Sequence, residues 1–395
     1  MTADAHQDRP GRTELGRVLM SAGVLTSDWA PAFAAVPRAA FLPDLIWPFD
    51  MASGQSVPVS RTREPELWHA YADADVPVVT QWDDGAHSGT HPGDVSTSSA
   101  SMPSVVFSML RDLDVRPGHR ALEIGTGTGW NAALLAHRLG DDRVVSVEVD
   151  AAVAGGARDA LARFGYRPQL VCADGYLGHP ATAPYDRVIA TCGLRSIPFA
   201  WVEQCRPGAL IVAPWGTHFT HGDAVARLAV AEDGRSASGR FTGPVEFMKL
   251  RDQRLPVFAH ADYVPHGVGE GDETSTAVTE GELLGGRFDP REFALGLRVR
   301  DCALVVAEKR EGARPVWFYG LADRSWACVQ FRDAGPARVW QAGPRRLWDE
   351  VREALAWWDG VGRPGFDRFG LTVCGSGEVV WLDAPDGVVR SAPRP

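Results

Sequence analysis

Residues 103–215 alternate between two kinds of apolar pattern, and no other feature narrows the fold as much. Runs with helical period (SVVFSMLRDL, NAALLAHRLG and residues 151–164) interleave with short β-rich runs (RALEIG, RVVSVEV, PQLVCAD, YDRVIATC and ALIVAPW). Strands alternating with helices predict βαβ units, and so a mostly parallel, doubly wound α/β sheet with helices on both faces. Sheets of this kind bind ligands beyond the carboxyl ends of their strands. That directs attention to Leu122-Glu123-Ile124-Gly125-Thr126-Gly127-Thr128-Gly129-Trp130, which lies between a strand and a helix.

Gly125, Gly127 and Gly129 permit a tight turn and close approach of a ligand to backbone. Alone, such a turn suits a dinucleotide, a flavin or S-adenosylmethionine, or merely packs a helix on a strand. Glu148 narrows the choice. It ends the next strand, nineteen residues after Gly129, where a carboxylate accepts both ribose hydroxyls. Asp150, its neighbour, is read as the cap of the following helix. Asp174 and Gly175 end the third strand, on the adenine side of a nucleoside. Glu123 lies inside the turn, where it would repel a pyrophosphate and suit an ammonium and a sulfonium. The expected cofactor is S-adenosylmethionine, with S-adenosylhomocysteine as product.

Around this core the chain reads as follows. Residues 12–42 suggest two short helices, one carrying Leu15, Val18 and Leu19 and one starting after Thr26-Ser27-Asp28. Residues 50–97, rich in Gly, Pro, Ser, Asp and His, read as a long loop, the kind that often carries function. Residues 222–265 suggest antiparallel strands, and the Gly- and acid-rich stretch 267–286 a linker. Beyond it, strand patterns and the amphipathic RRLWDEVREALAWW predict a smaller α+β domain. The expected division is 1–97, 98–266 and 286–395. Half of the fourteen tryptophans fall in the last 120 positions, and most are read as core, with one or two reserved for a peptide groove. Asp83, Asp84, His87 and His91 lack a register that would converge on a metal, and none is expected.

The chain carries 50 acidic against 40 basic residues, a net charge of −10, which argues against a nucleic-acid or anionic-membrane partner. No window approaches the length of a membrane-spanning helix, and the start MTADAHQDRPGRTELG lacks the pattern of a secretory signal. The six cysteines are scattered, without a CxxC pair. These features suggest a cytoplasmic protein, a monomer or weak dimer.

Taken in order, AVPRAAFLP (35–43), SerMetPro (101–103), LEIGTGTGW, SVEVD, CADGY, PYDRVIATCGLRSIP, CRPGALIVAPWG and DYVP resemble the protein-L-isoaspartate O-methyltransferase family over residues 12–265. The resemblance implies a Rossmann-like class I methyltransferase domain with an added C-terminal domain. It implies that Ser101 meets the substrate carboxylate, with Ser99 and Met102 on the substrate side and Met102 and Pro103 over the cofactor. It assigns Glu123, Gly125, Thr126, Gly127 and Gly129 to the cofactor turn; Trp130, which follows it, is counted with the cofactor-binding residues as stacking near the adenosine, the alternative being that it packs the helix. Glu148 with Val149 falls at the ribose, and Asp174 with Gly175 at the adenine.

The link between VPR and SerMetPro, and the C-terminal domain, both exceed the family's usual plan. Extended relatives stand beside genes for ribosomally made, modified peptides (lanthipeptides and graspetides). That likeness implies methylation of one aspartate in a cyclised precursor peptide, followed by succinimide or isoaspartate formation. The alternatives are a repair methyltransferase for isoaspartyl proteins, a non-catalytic precursor-binding protein and a small-molecule methyltransferase.

Overall fold

The computed structural model describes residues 9–51 and 53–393, so the reading of the N-terminal start lies partly outside the described residues. Two compact units divide the chain. One takes in residues up to Cys192, with Pro198–Ala213 and Arg227–Ala237. The other holds Gly193–Ile197, Pro214–Ala226 and everything from Ser238. These units follow other boundaries than the sequence-based ones at 97, 266 and 286.

The first unit opens with helices α1 (Pro10–Ser21) and α2 (Ala30–Ala35). Leu15 and Leu19 are buried, whereas Val18 is exposed. Thr26-Ser27-Asp28 does not cap α2; it forms a turn, and Trp29 stands at the cap position. The expected loop over 50–97 is instead a small antiparallel sheet. Its strands are β1 (Leu45–Asp50), β2 (Gln55–Ser56), β3 (Val59–Ser60), β4 (Val78–Trp82) and β5 (Ser96–Ala100), with helix α3 (Pro65–Ala72) between β3 and β4. The order is β2-β1-β4-β5, with β3 also on β1. Ile46, Val59, Trp68, Val78 and Ala100 form its core with Ala39 and Leu42. No strand contributes more than one of these side chains, so no single run of sequence displays the pattern.

Helix α4 (Pro103–Leu113) leads into the parallel sheet. Strand β6 (Ala121–Ile124) is followed by α5 (Trp130–Leu139), β7 (Val144–Glu148), α6 (Ala151–Arg163) and β8 (Gln169–Cys172). Then come β9 (Tyr185–Ala190), α7 (Phe199–Glu203) and β10 (Cys205–Trp215). The order β10-β9-β6-β7-β8 is parallel throughout, as expected. The chain builds outward from β6 one way to β8, then returns to the other side of β6 for β9. The topological switch point therefore lies between β6 and β9, where such sheets open a crevice for ligand.

In the second unit, β11 (Asp223–Val230) and β12 (Ser236–Val245) contribute their Asp223–Ala226 and Ser238–Val245 portions. The expected linker holds strand β13 (Asp272–Thr276) and the turn-length helix α8 (Glu280–Leu283). Strand β13 is polar and mostly exposed; what makes it a strand is its pairing along β17. After α9 (Pro290–Arg298) come β14 (Cys302–Val306), β15 (Ala313–Gly320), β16 (Trp326–Arg332) and β17 (Ala337–Ala342), in an antiparallel sheet of order β13-β17-β16-β15-β14. Helix α10 (Leu347–Gly360) lies against β15–β17, where Trp348 meets Phe318. Val264, packed with Tyr319, Trp326, Cys328 and Trp340, is joined by Phe258 and Tyr263, so the chain's own 258–264 segment covers these aromatics. Trp326, Trp340, Trp348, Trp358 and Trp381 are buried, and only Trp317 and Trp357 are half-buried.

Strands β18 (Phe369–Cys374), β19 (Gly377–Leu382) and β20 (Val388–Pro393) are antiparallel, with β18 beside β12. An aromatic cluster of Trp215, Phe241, Phe293 and Phe369 packs beneath them. From β19, the buried Glu378 carboxylate accepts the Ile197 N–H and Trp215 Nε1–H, the latter at 3.1 Å.

Candidate active site

At the switch point the glycine turn takes the shape its residues permit. Gly125, Gly127 and Gly129 have φ of +92°, +54° and +88°, values that a side chain disfavours. A Cβ on Gly125 would stand 2.8 Å from Thr191 Oγ1. That hydroxyl donates to the carbonyls of Gly125 and of Ile124, tying the end of β9 to the turn. Thr191 lies within the PYDRVIATCGLRSIP segment, but no spacing singles it out; its place just past β9 marks it.

Beneath the turn lies a closed polar network. The Glu123 carboxylate is wholly buried and accepts Asn131 Nδ2–H at 2.7 Å and the Ser146 hydroxyl, which lies 2.6 Å from Thr126 Oγ1. The expectation of a Glu123 carboxylate bare to the donor's cation is corrected by this geometry. Position 123 lies on the central strand with its side chain inside the sheet's buried layer, and both of its oxygens are engaged. Thr126 likewise turns its hydroxyl inward to Ser146. Asn131 Oδ1 remains buried without a partner.

Burial pushes the Glu123 carboxyl up to about 7, against the hydrogen bonds from Ser146 and Asn131 and with help from the Glu148 charge. The folded state thus holds this proton more tightly than the unfolded chain. The resulting stabilisation is complete below about pH 4.5 and is lost as pH rises through about 7, amounting to something on the order of 3 kcal/mol. Glu123→Gln is expected to flatten that part of the dependence of Tm on pH, measured from pH 4.5 to 8 against wild type. Parallel curves would show that Glu123 does not titrate in this range.

Glu148 ends β7, as expected, and accepts Gly127 N–H at 2.9 Å and Asp150 N–H at 3.1 Å. Each oxygen keeps a lone pair for a hydroxyl donor. Asp150 caps α6 through Ala152 and Val153 N–H, which leaves Glu148 as the ribose candidate. Val149 is exposed beside it. Asp174 accepts Tyr176 N–H at 2.8 Å and starts the turn holding Gly175, and Ala173 N–H reaches Glu148 O at 2.9 Å, so these two groups are adjacent. Trp130 is corrected: its indole is 3% exposed, bonds Val36 O at 3.1 Å and meets Phe107 edge-on. It packs α5 and offers no face to an adenine.

Strand β5 runs over the turn. A Cβ on Gly127 would meet Ser99 O at 3.4 Å. Ser101 follows, half-buried, and leaves the cap position of α4 to Met102, with Pro103 as first helical residue. The cap bond comes from elsewhere, since Asp75 Oδ1 accepts Ser104 N–H at 2.8 Å. The structure thus brings Ser99, Gly127 and Glu148 together, and Ser101 continues from them. Among the described residues no group of three or more His, Cys, Asp or Glu side chains could hold a metal. Asp83 binds the N–H groups of Asp94 and Val95, and His87 reaches His91 O, so this cluster shapes a hairpin loop. No described helix is long and apolar enough to cross a membrane.

A glycine turn at the switch point of a parallel sheet, with an acid ending the next strand, is a nucleoside-binding arrangement, and the chain's relatives make it that of a class I methyltransferase that uses S-adenosylmethionine. The turn and the open lone pairs of Glu148 fit that ligand. The family model of protein-L-isoaspartate(D-aspartate) O-methyltransferases matches residues 63–254. A protein-L-isoaspartate O-methyltransferase of Methanopyrus kandleri is 32% identical over 247 residues, covering 62% of this chain and 92% of that protein. One of Methylorubrum extorquens is 31% identical over 232 residues, covering 59% and 84%. The chain belongs to the protein-L-isoaspartate O-methyltransferase family and is an S-adenosylmethionine-dependent protein carboxyl methyltransferase. A solved structure titled protein-L-isoaspartate O-methyltransferase shares the fold with a TM-score of 0.51 at 21% identity, covering 94% of this chain and 100% of its own. So wide a match takes in most of the C-terminal region.

Proposed function

We propose that the chain methylates the free carboxylate of L-isoaspartyl residues in proteins or peptides. The observation that carries this is the passage of strand β5 over Gly127 at Ser99, two residues before Ser101, which supports a carboxylate held at Ser101 next to a methyl donor on the turn. The names of the relatives support the substrate class.

S-adenosylmethionine supplies a methyl group on a sulfonium. The rest falls to the protein. A carboxylate with a pKa near ~4 is already ionised at neutral pH, so no general base is required. A carboxylate oxygen forms the bond to the methyl carbon as the bond to sulfur breaks, leaving an ester and a neutral thioether. Ser101 and nearby backbone N–H groups hold the carboxylate in line. The following backbone nitrogen can then displace methanol from the ester to give a succinimide.

The test offers three peptides with radiolabelled methyl donor: an isoaspartyl peptide, its aspartyl twin and a cyclised aspartyl peptide. Label is expected in the first alone. Label only in the cyclised peptide would establish the biosynthetic reading, and donor binding without any turnover would leave a binding protein. Ser101→Ala is expected to lower kcat/KM roughly 10- to 100-fold, the loss of one charge-assisted hydrogen bond, with S-adenosylhomocysteine affinity within twofold.

A further inference from the structure

In the segment Val36–Arg38, a backbone carbonyl and a guanidinium two residues apart reach both halves of the site. Val36 O accepts Trp130 Nε1–H, and Trp130 opens α5 directly behind the glycine turn. Arg38, 3% exposed, donates through Nη2 to Ala100 O and Val76 O, each at 2.9 Å, and through Nη1 to Ala74 O at 3.3 Å. Its guanidinium carbon stands 5.9 Å from the Trp130 ring centre. The turn that Arg38 grips also carries Asp75, which holds Ser104 N–H at the start of α4. Ser101–Pro103 is thereby pinned at both ends, at the Ala100 carbonyl and at the first turn of α4.

A buried cation persists only where surrounding groups compensate it. Here three carbonyls receive its protons, and the charges of Asp75 and Asp73 oppose the effect of burial. A planar fork of five donors suits carbonyls spread around it, whereas an ammonium is a single point of charge.

We propose that Arg38 is a positioning residue for methyl transfer, fixing the register of the Ser99–Met102 segment against the glycine turn. Buried as it is, it acts through Ala100 and touches neither reactant. The proposal rests on the functional reading given above.

Arg38→Lys and Asp75→Ala, each in the full chain, loosen one end of the pinned segment. In both, kcat on an isoaspartyl peptide is expected to fall at least tenfold, with peptide KM and S-adenosylhomocysteine Kd within threefold of wild type. Positioning acts on the transition state, whereas general unfolding would degrade all three together. Amide hydrogen exchange at residues 100–104 is expected to quicken in both variants, a readout independent of activity. Unchanged kcat in both folded variants, or loss of binding in step with kcat, would overturn the assignment. Should one variant fail to fold, the other carries the test. If the wild-type chain methylates no carboxylate at all, the functional reading fails, whereas slow exchange at 100–104 in Arg38→Lys refutes the pinning itself.

Discussion

Alanine at position 125 is expected to abolish measurable binding of S-adenosylhomocysteine, a loss of more than 100-fold by calorimetry, while circular dichroism shows the sheet intact. Two effects add. The backbone at Gly125 holds φ at +92°, a left-handed conformation that costs a side-chain-bearing residue roughly 1–2 kcal/mol. The new Cβ would also stand 2.8 Å from Thr191 Oγ1, a contact that real Cβ atoms do not make. Relief requires Thr191 to release the carbonyls of Gly125 and Ile124, so the turn and the end of β9 move together. Gly129→Ala is the milder companion. Its Cβ would meet Ala157 Cβ at 3.2 Å, from a φ of +88°. Undiminished affinity in Gly125→Ala would place the cofactor somewhere other than the switch point.

Removal of the C-terminal region is the second large effect. A chain ending at residue 285 reproduces the domain boundary suggested by sequence, and it is expected to be insoluble or to lack a cooperative thermal transition. The second unit draws Gly193–Ile197 and Pro214–Ala226 into the same core as the last strands. Truncation strips Phe293, and Phe369 packed on it, from the cluster with Trp215 and Phe241, and takes Glu378 away from Ile197 N–H and Trp215 Nε1–H. Glu378→Ala isolates the polar part. Two buried donors left unpaired cost ~1–3 kcal/mol each, which should lower Tm by several degrees in scanning calorimetry. A soluble, cooperatively folding truncation would mean that the last strands are dispensable.

The parallel core was legible because local pattern and tertiary role coincide there. Each strand of β6–β10 carries a short cluster of apolar residues, and Gly125, Gly127 and Gly129 stand where the turn needs positive φ. Glu148 could be picked over Asp150 because a residue that begins a helix is most simply its cap. The β1–β5 sheet was read as a loop, since its core is collected singly from Ile46, Val59, Val78 and Ala100. Strand β13 escaped notice because pairing with β17, a non-local property, defines it. Within the site, Glu123 and Trp130 show the limit of motif reasoning. A motif fixes which residue stands near a ligand, but whether its side chain faces the ligand or the core depends on the layer beneath. Arg38 and Thr191 act on backbone carbonyls distant in sequence, and no spacing rule reveals such bonds.

The chain passes between its two compact units at five places before Ser238. During synthesis the first unit has all its segments once Ala237 has left the ribosome. The second must wait for β20, more than 150 residues later. At ~5–20 residues per second that wait is roughly 8 to 30 seconds. Throughout it, Trp215 and Ile197 lack their final partners on the nascent chain. Apolar surface left open for that long is where a nascent chain is prone to aggregate, so slower release of the last third of the message is expected to lower the soluble yield.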